Sequence, residues 1–559
     1  MRLGALLVFV LLSVYTILHH EMWRDELQAW MIGRDSPGLG DLLGNTRYEG
    51  HPPLWHLCLF ALGRVSTDPA AMQMLHVAIA SLSSFVVLFL SPFRPWVRWL
   101  FVLGYFPFYE YCIKSRGYAW GVLFLFMFCA MHGKWRQGGR SLMHLVAMSS
   151  VLGLLSLTSI LGAILAIGLF GFLVLDVFRP PAWVEKTRAP KTTPTSARES
   201  QAPHTSARTQ NASSSNGGGE DRVDSSPLRL VGLVVPFLTG LVLAIVSVLP
   251  PADSGYANET VLRFDPELFS RVVSRITHAY TPALSWTLVP VETGWDLPVA
   301  VLLFGWTIWL LRGSRRVLGL YLFLTLALLG FFYTKYLGLL WHHGHLYLVW
   351  FAALWLHENE AARASNGGSG SPRRDSTRSG TRSQSRSGLV AWGSVAVLLA
   401  VQATTGVRAH VRDWKETFSA ARETAESLTA YAWTDGDLGG GRQGSPQGEP
   451  WLLAGDLDFI ASAVVGYLPK GTECFYVAGT RFGTFIRWDE KRLTRAQPGW
   501  DAAAVAAEAG ASRGRDVVFV SSYDLGANLP PGVRLVSHHT AGLWPDERFW
   551  VYEMRVAGL

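Results

Sequence analysis

Residues 20–52, HEMWRDELQAWMIGRDSPGLGDLLGNTRYEGHP, carry Glu21, Arg24, Asp25, Glu26, Arg34, Asp35, Asp41, Arg47, Glu49 and His51 just beyond an apolar run. Asp25 and Glu26 are adjacent. On a helix, neighbours point about 100° apart and do not share a face. One acid can therefore face a cavity while the other pairs with a local arginine. The plain alternative is a solvated loop with acids at random. Trp23, Trp30 and Met31 argue against it, because they bury the stretch in or near an interface where unpaired acids are costly.

Two further polar clusters stand out. Glu110, Lys114, Ser115, Arg116 and Tyr118 separate two short apolar runs. A guanidinium such as Arg116 can hold phosphate oxygens bidentately, and its plain alternative is a snorkelling arginine. Tyr333, Lys335, Tyr336, Trp341, His342, His343 and His345 form the third cluster. Its HHxH spacing suggests zinc, but no acid lies close by in sequence to complete a ligand set. Contact with a sugar or a phosphate suits these residues better. A carboxylate can take a proton from an incoming hydroxyl while cations stabilise a departing phosphate, so the three clusters together suit transfer from a phosphate ester.

The elements that must position them are membrane helices. The chain has 559 residues, of which 49% are hydrophobic and 16% charged, so apolar segments dominate. Apolar runs cover roughly 2–19, 73–91, 96–112, 117–132, 142–157, 159–176, 229–249, 296–312, 317–334, 339–357 and 388–404. A crossing needs about 20 residues. The first run lacks a small-residue cleavage site and reads as an uncleaved helix. Residues 53–64 are too short to span comfortably and read as a helix lying in the interface, with a tilted or re-entrant helix as the alternative. Counted this way there are eleven spans. The basic loops around Arg94/Arg98, Lys134/Arg136/Arg140, Arg179, Arg312/Arg315/Arg316 and Arg374–Arg386 then share one side, as the positive-inside rule requires. That distribution accounts for the net charge of +7 without nucleic acid. The N-terminus falls in the cytoplasm. The three polar clusters fall together on the opposite face. Cys58, Cys112, Cys129 and Cys474 have no metal spacing and read as packing residues.

Two stretches, 181–228 and 359–387, are rich in Ser, Gly and Arg, lack apolar periodicity and read as disordered cytoplasmic loops. They interrupt a transmembrane domain over 1–404. Residues 405–559 read as an extracytoplasmic α/β domain. Strands are expected at 451–456, 474–477, 516–522 and 549–556, with helices at 457–467 and 501–511.

The N-terminal half resembles the GT-C superfamily of membrane glycosyltransferases, above all the protein O-mannosyltransferases and the bacterial transferases that add aminoarabinose to lipid A. The likeness rests on Asp25-Glu26 in WRDELQAW after the first span, on His51-Pro52-Pro53 in GHPPLWHLCLFALGRV, and on the arginine-bearing KSRGYAWGVLFLF at 114–126. It covers 1–180 well and 230–357 loosely. The tail does not resemble the sugar-binding repeats of the eukaryotic mannosyltransferases, which leaves the acceptor open.

The resemblance implies an all-α polytopic domain of GT-C type with about eleven transmembrane helices, followed by the small soluble α/β domain. It implies transfer of a sugar from a polyprenyl-phosphate donor to a hydroxyl of a lipid or glycan acceptor, at the outer face of the bacterial inner membrane. Asp25 would be the general base and Glu26 would orient it or pair with a cation. Arg116 and Lys335 would grip the lipid phosphate. His51, His342 and His343 would line the sugar pocket, with Arg24, Glu49, Lys114, Tyr118 and Tyr336 as further substrate contacts. No cofactor and no metal are expected, although relatives that transfer oligosaccharides need a divalent ion. A transporter or flippase of lipid-linked sugars would show the same spans, but with mid-membrane charges and internal repeats. A non-catalytic envelope assembly protein would rest on the tail alone.

Overall fold

The computed structural model describes residues 2–137, 140–178, 227–255, 260–282, 292–366, 386–432, 451–493 and 498–555. The chain begins with α1 (Arg2–His19) and turns at His20 into α2 (Arg24–Asp35), α3 (Leu39–Thr46) and α4 (Leu54–Leu62). α4 has nine residues, too few to cross a bilayer. Then come α5 (Ala70–Leu90) and α6 (Pro95–Val102). The span expected over 96–112 is broken: α6 ends at Val102 and a π-helical turn follows over Tyr105–Glu110. Pro107 lacks an amide hydrogen and disfavours a regular continuation there. α7 (Tyr118–Arg136), α8 (Leu142–Ser156) and α9 (Ile160–Val177) follow. Ser141 and Ser159 cap the last two by accepting from the His144 and Gly162 amides.

α10 (Pro227–Val248) crosses α8 where Gly153 faces Pro236 and Gly240, and side chains there would collide with the facing backbone. α11 (Pro266–Tyr280) follows, capped by Asp265. It was not among the expected helices, although its PELFSRVVSRITHAY pattern is amphipathic, and it buries Val272, Ile276, Ala279 and Tyr280. α12 (Asp296–Leu311), α13 (Arg315–Thr334), α14 (Leu340–Asn366) and α15 (Arg386–Lys415) complete the bundle. Among the described residues, six helices are long and apolar enough to cross a membrane: α1, α5, α9, α10, α13 and, from Gly388, α15. The other expected segments are also helical, but shorter or less apolar. Of the two loops expected to be disordered, 181–226 and 367–385 lie outside the described residues. Within the second, 359–366 is instead the end of α14.

One end of the bundle collects a buried ionic cluster. Asp176 accepts from His132 at 2.8 Å and from Arg136 and Arg316 at 2.7 Å each. The opposite end carries the C-terminal domain. It comprises α16 (Ala421–Ala432), β1 (Leu452–Gly455), α17 (Asp458–Tyr467), β2 (Cys474–Tyr476), β3 (Arg481–Gly483), α18 (Trp500–Ala511), β4 (Val517–Ser521), β5 (Val533–His539) and β6 (Phe549–Met554). The sheet order is β3-β2-β1-β4-β6-β5, with β2, β1 and β4 parallel and the outer strands antiparallel. Both faces of the central strands are covered, so they are apolar throughout. Leu452, Ala454, Val517 and Phe519 pack on the alanines of α18. Leu453, Val518 and Val520 belong instead to the core that runs on into the helix bundle.

α17 docks on α2. Gly466 lies so close to Leu27 that a Cβ there would sit 2.7 Å from the Leu27 Cβ. The Tyr467 hydroxyl accepts from the Met22 amide at 2.7 Å. Gln28 donates to the Ile486 carbonyl at 2.8 Å and accepts from the Ile486 amide at 3.0 Å. The sheet domain is thereby fixed against the helix that carries Asp25 and Glu26.

Candidate active site

The turn after α1 and the first residues of α2 set the two acids apart, as a helix demands of neighbours. Asp25 is one-third exposed, and its carboxylate meets the Arg116 guanidinium at 3.2 Å. Glu26 is fully buried. It accepts from the Ser115 amide at 2.5 Å and the Trp23 amide at 3.3 Å, and it contacts His20 Nε2 at 3.1 Å. His20 Nδ1 meets Asp413 at 2.9 Å. The 113–117 loop is thus tied to α2 twice, through Glu26–Ser115 and Asp25–Arg116.

Burial alone would raise the Glu26 carboxyl, but His20 and the two amides outweigh it and hold it below its ordinary value. Arg24 does not pair with its neighbour Asp25. Its guanidinium lies over the rings of Trp23, Phe459 and Trp544 instead.

Around Asp25 stand several of the other expected residues. Glu49 accepts from Gln28 at 2.8 Å. Burial pushes its carboxyl up to about 7; Gln28 opposes the shift and the Asp25 charge adds to it. His51 is held down at about 4 by burial and by the Arg116 charge, against the pull of Asp25. Arg116 also lies over the rings of Trp341, at 4.9 Å, and Tyr118, at 5.2 Å. Tyr118 in turn meets His342 edge-on, and His342 meets Tyr336. His342 Nδ1 accepts from the Leu339 amide at the start of α14. Asp25, Glu49, His51, Arg116, Tyr118, Tyr336 and His342 therefore form one neighbourhood. Arg116 Nη1, Ser115 Oγ, the Tyr118 hydroxyl and Trp341 Nε1 are buried there without hydrogen-bond partners among the described residues.

Three expected contacts are placed otherwise. Lys114 is fully buried in a pair with Glu110 at 2.9 Å, and Glu110 also accepts from Tyr105 at 2.7 Å. That ammonium is committed to holding the π-helical turn. His343 contacts the Leu337 carbonyl through Nε2 at 3.0 Å and packs on Phe332. Lys335 is exposed and donates to Thr260. The third histidine of HHxH, His345, contacts the His342 carbonyl at 3.0 Å, so the three rings diverge. Among the described residues no three His, Cys, Asp or Glu side chains gather as a metal site.

Sequence reasoning missed His20, Gln28, Asp413 and the aromatic pair Trp23–Trp341, whose rings are 5.6 Å apart. Asp413 had a readable signal: it is an acid just past the last apolar run, on the same expected face as Asp25. Glu547 had none, since only the folded tail brings it to the Arg24 amide, at 3.0 Å. The chain matches no protein-family model, no curated protein and no solved structure.

Proposed function

We propose that the protein is a membrane glycosyltransferase of GT-C type that moves a sugar from a polyprenyl-phosphate donor to an acceptor hydroxyl, with Asp25 as general base. The observation that carries this reading is the partly exposed Asp25–Arg116 pair. It sets a proton acceptor beside a phosphate-binding cation at one end of an apolar bundle. In the proposed step the acceptor oxygen bonds to the anomeric carbon and gives its proton to Asp25. The bond from that carbon to the phosphate oxygen breaks, and its electron pair leaves with the lipid phosphate. Arg116 turns from Asp25 to that phosphate, which frees the carboxylate to receive the proton. Tyr118, Tyr336, His51 and His342 present ring faces and polar edges suited to a sugar. Glu26, held by His20 and Ser115, positions rather than reacts.

The eleven-crossing topology belongs to the same proposal. It counts α1, α5, the broken segment from α6 to Glu110, α7, α8, α9, α10, α12, α13, α14 and α15. The His20–Asp413 contact supports it, because it joins the ends of α1 and α15 at one face. Arg136 and Arg316, at the far end, fit the cytoplasmic side of a bacterial inner membrane. The test is incubation of the purified protein in lipid with a panel of polyprenyl-phosphate sugars and membrane-extracted acceptors. Release of polyprenyl phosphate together with a glycosylated product supports the reading. Intact donor with every member of the panel counts against it.

A further inference from the structure

We propose that Arg24 forms a second oxyanion subsite, between the helix bundle and the C-terminal sheet, for a phosphate or carboxylate carried by the acceptor. The inference rests on the glycosyltransferase reading and adds the acceptor's charge to it.

The Arg24 Cζ lies 5.6 Å from the Trp23 ring, 5.1 Å from Phe459 and 5.4 Å from Trp544. The Trp23 and Trp544 rings meet edge-on at 4.4 Å. Arg24 Nη1 and the indole nitrogens of both tryptophans are buried without hydrogen-bond partners among the described residues. Ring faces offset a guanidinium's charge but do not accept its in-plane hydrogens. Buried unsatisfied donors are costly, and here three belong to side chains in mutual contact. The adjacent carboxylate does not relieve them. Glu547 Oε1 takes the Arg24 backbone amide and Oε2 takes the Ser419 hydroxyl. Other arginines of the same interface hold acids: Arg34 holds Asp35 at 2.7 Å and Arg492 holds Asp458 at 2.6 Å.

The three donors left over beside Glu547 call for a ligand that accepts, and an oxyanion is the simplest one. Phe459 and Trp544 belong to the sheet domain, away from the apolar bundle. Arg116 lies against Trp341 and Tyr118, which belong to the bundle, and among the described residues shares with Arg24 only the Trp23 ring, 6.0 Å from its Cζ. The bundle-side guanidinium suits the lipid phosphate of the donor. The guanidinium under the sheet domain suits an acceptor arriving from water.

Calorimetric titration of the full-length protein in detergent with inorganic phosphate, before and after saturation with polyprenyl phosphate, tests this. The wild type should still bind phosphate once the lipid is bound. Arg24→Gln should weaken that binding by about tenfold or more. Trp544→Phe keeps the ring, loses one donor and should weaken it by about threefold. If saturating polyprenyl phosphate abolishes phosphate uptake, the oxyanion belongs to the donor and the proposal falls. Uptake unchanged in both variants overturns it equally, leaving an adventitious ion only. Arg116→Gln separates the two readings. It should lose the lipid and keep the Arg24-dependent phosphate, and normal lipid binding in it would sink the donor assignment alone.

Discussion

His20 and Glu26 meet at 3.1 Å inside the protein, with neither side chain exposed to solvent. The other ring nitrogen of His20 holds Asp413, so one imidazole joins the end of α1, the start of α2 and the end of α15. Removing the ring leaves two buried carboxylates without their common partner. Breaking a buried pair from one side costs about 3–5 kcal/mol. His20→Gln should therefore lower the thermal midpoint of the detergent-solubilised protein sharply. Asp413→Asn should do so less, because the amide can still hydrogen-bond the ring. An unchanged midpoint in His20→Gln would show that the cluster does not tie these ends together.

The same cluster sets a pH dependence. Burial would lower His20, but Asp413 and Glu26 together raise it from 6.5 to about 10. A histidine raised in the folded chain contributes stability that is complete below its unfolded value of 6.5 and lost as pH rises through about 10. The midpoint of the wild type should decline across that window, and His20→Gln should decline less. Equal slopes for the two proteins would refute the assignment.

Glu49 should act in a different window. Its folded carboxyl, raised by burial to about 7, favours the protonated form. Its contribution is complete below the unfolded value of 4.5 and is lost as pH rises through about 7. Glu21 and Glu547 are raised to about 7 by burial as well, so the informative quantity is a difference between variants. Glu49→Gln should lose less stability than the wild type between about pH 5 and pH 8. A variant that loses as much or more would show that Glu49 is not the group being ionised.

Docking of the sheet domain depends on the absence of a side chain at Gly466. A Cβ there would sit 2.7 Å from the Leu27 Cβ and meet its branch as well. Overpacking of this kind costs about 1–3 kcal/mol. Gly466→Leu should loosen the contact of α17 with α2 and raise protease cleavage between the bundle and the sheet domain. Protection equal to the wild type would mean that the two helices slide apart without cost.

The sequence made most of the helices and strands legible, because apolar length and alternation are local properties. Strands β1, β2, β4 and β6 and the helices between them lie where the apolar runs placed them. α11 and β5 were not among the expected elements. α11 carries a readable amphipathic pattern but is too polar to stand out as an apolar run, and in β5 the polar and apolar residues do not alternate, its register being broken between Leu535 and Ser537. Asp25 and Arg116 could be named as candidates from type and position, but not the link between them, which is a contact across 91 residues. Lys114 was assigned to substrate because its charge was visible and its burial against Glu110 was not. His20 carried no signal in the sequence, since its two carboxylates arrive from α2 and from the far end of α15.

The most exposed prediction concerns which acid reacts. Asp25 has the shorter chain, is one-third exposed and touches Arg116. Glu26 has both oxygens engaged, by the Ser115 amide on one side and by His20 and Trp23 on the other. A base must reach the acceptor hydroxyl at about 2.6–3.2 Å, directly or through one water, and a carboxylate enclosed on all sides has no room for it. Asp25→Asn keeps the shape of the side chain and a hydrogen bond to its surroundings but cannot take the proton. It should leave the thermal midpoint nearly unchanged and cut the transfer rate under saturating donor by about 10²-fold or more. Glu26→Gln should show the reverse order of effects, a lower midpoint with a smaller loss of rate per folded molecule, because it disturbs the His20 cluster that supports α2. Arg116→Ala should raise the donor concentration needed for half-maximal rate as well as slow turnover, since it removes the cation from bound and departing phosphate alike. Initial rates per folded molecule, set beside donor affinity for each variant, decide the matter. Near-normal turnover by Asp25→Asn would end its assignment as the base. Complete loss in a well-folded Glu26→Gln protein would move the role to the buried acid and require the His20 cluster to open during the reaction.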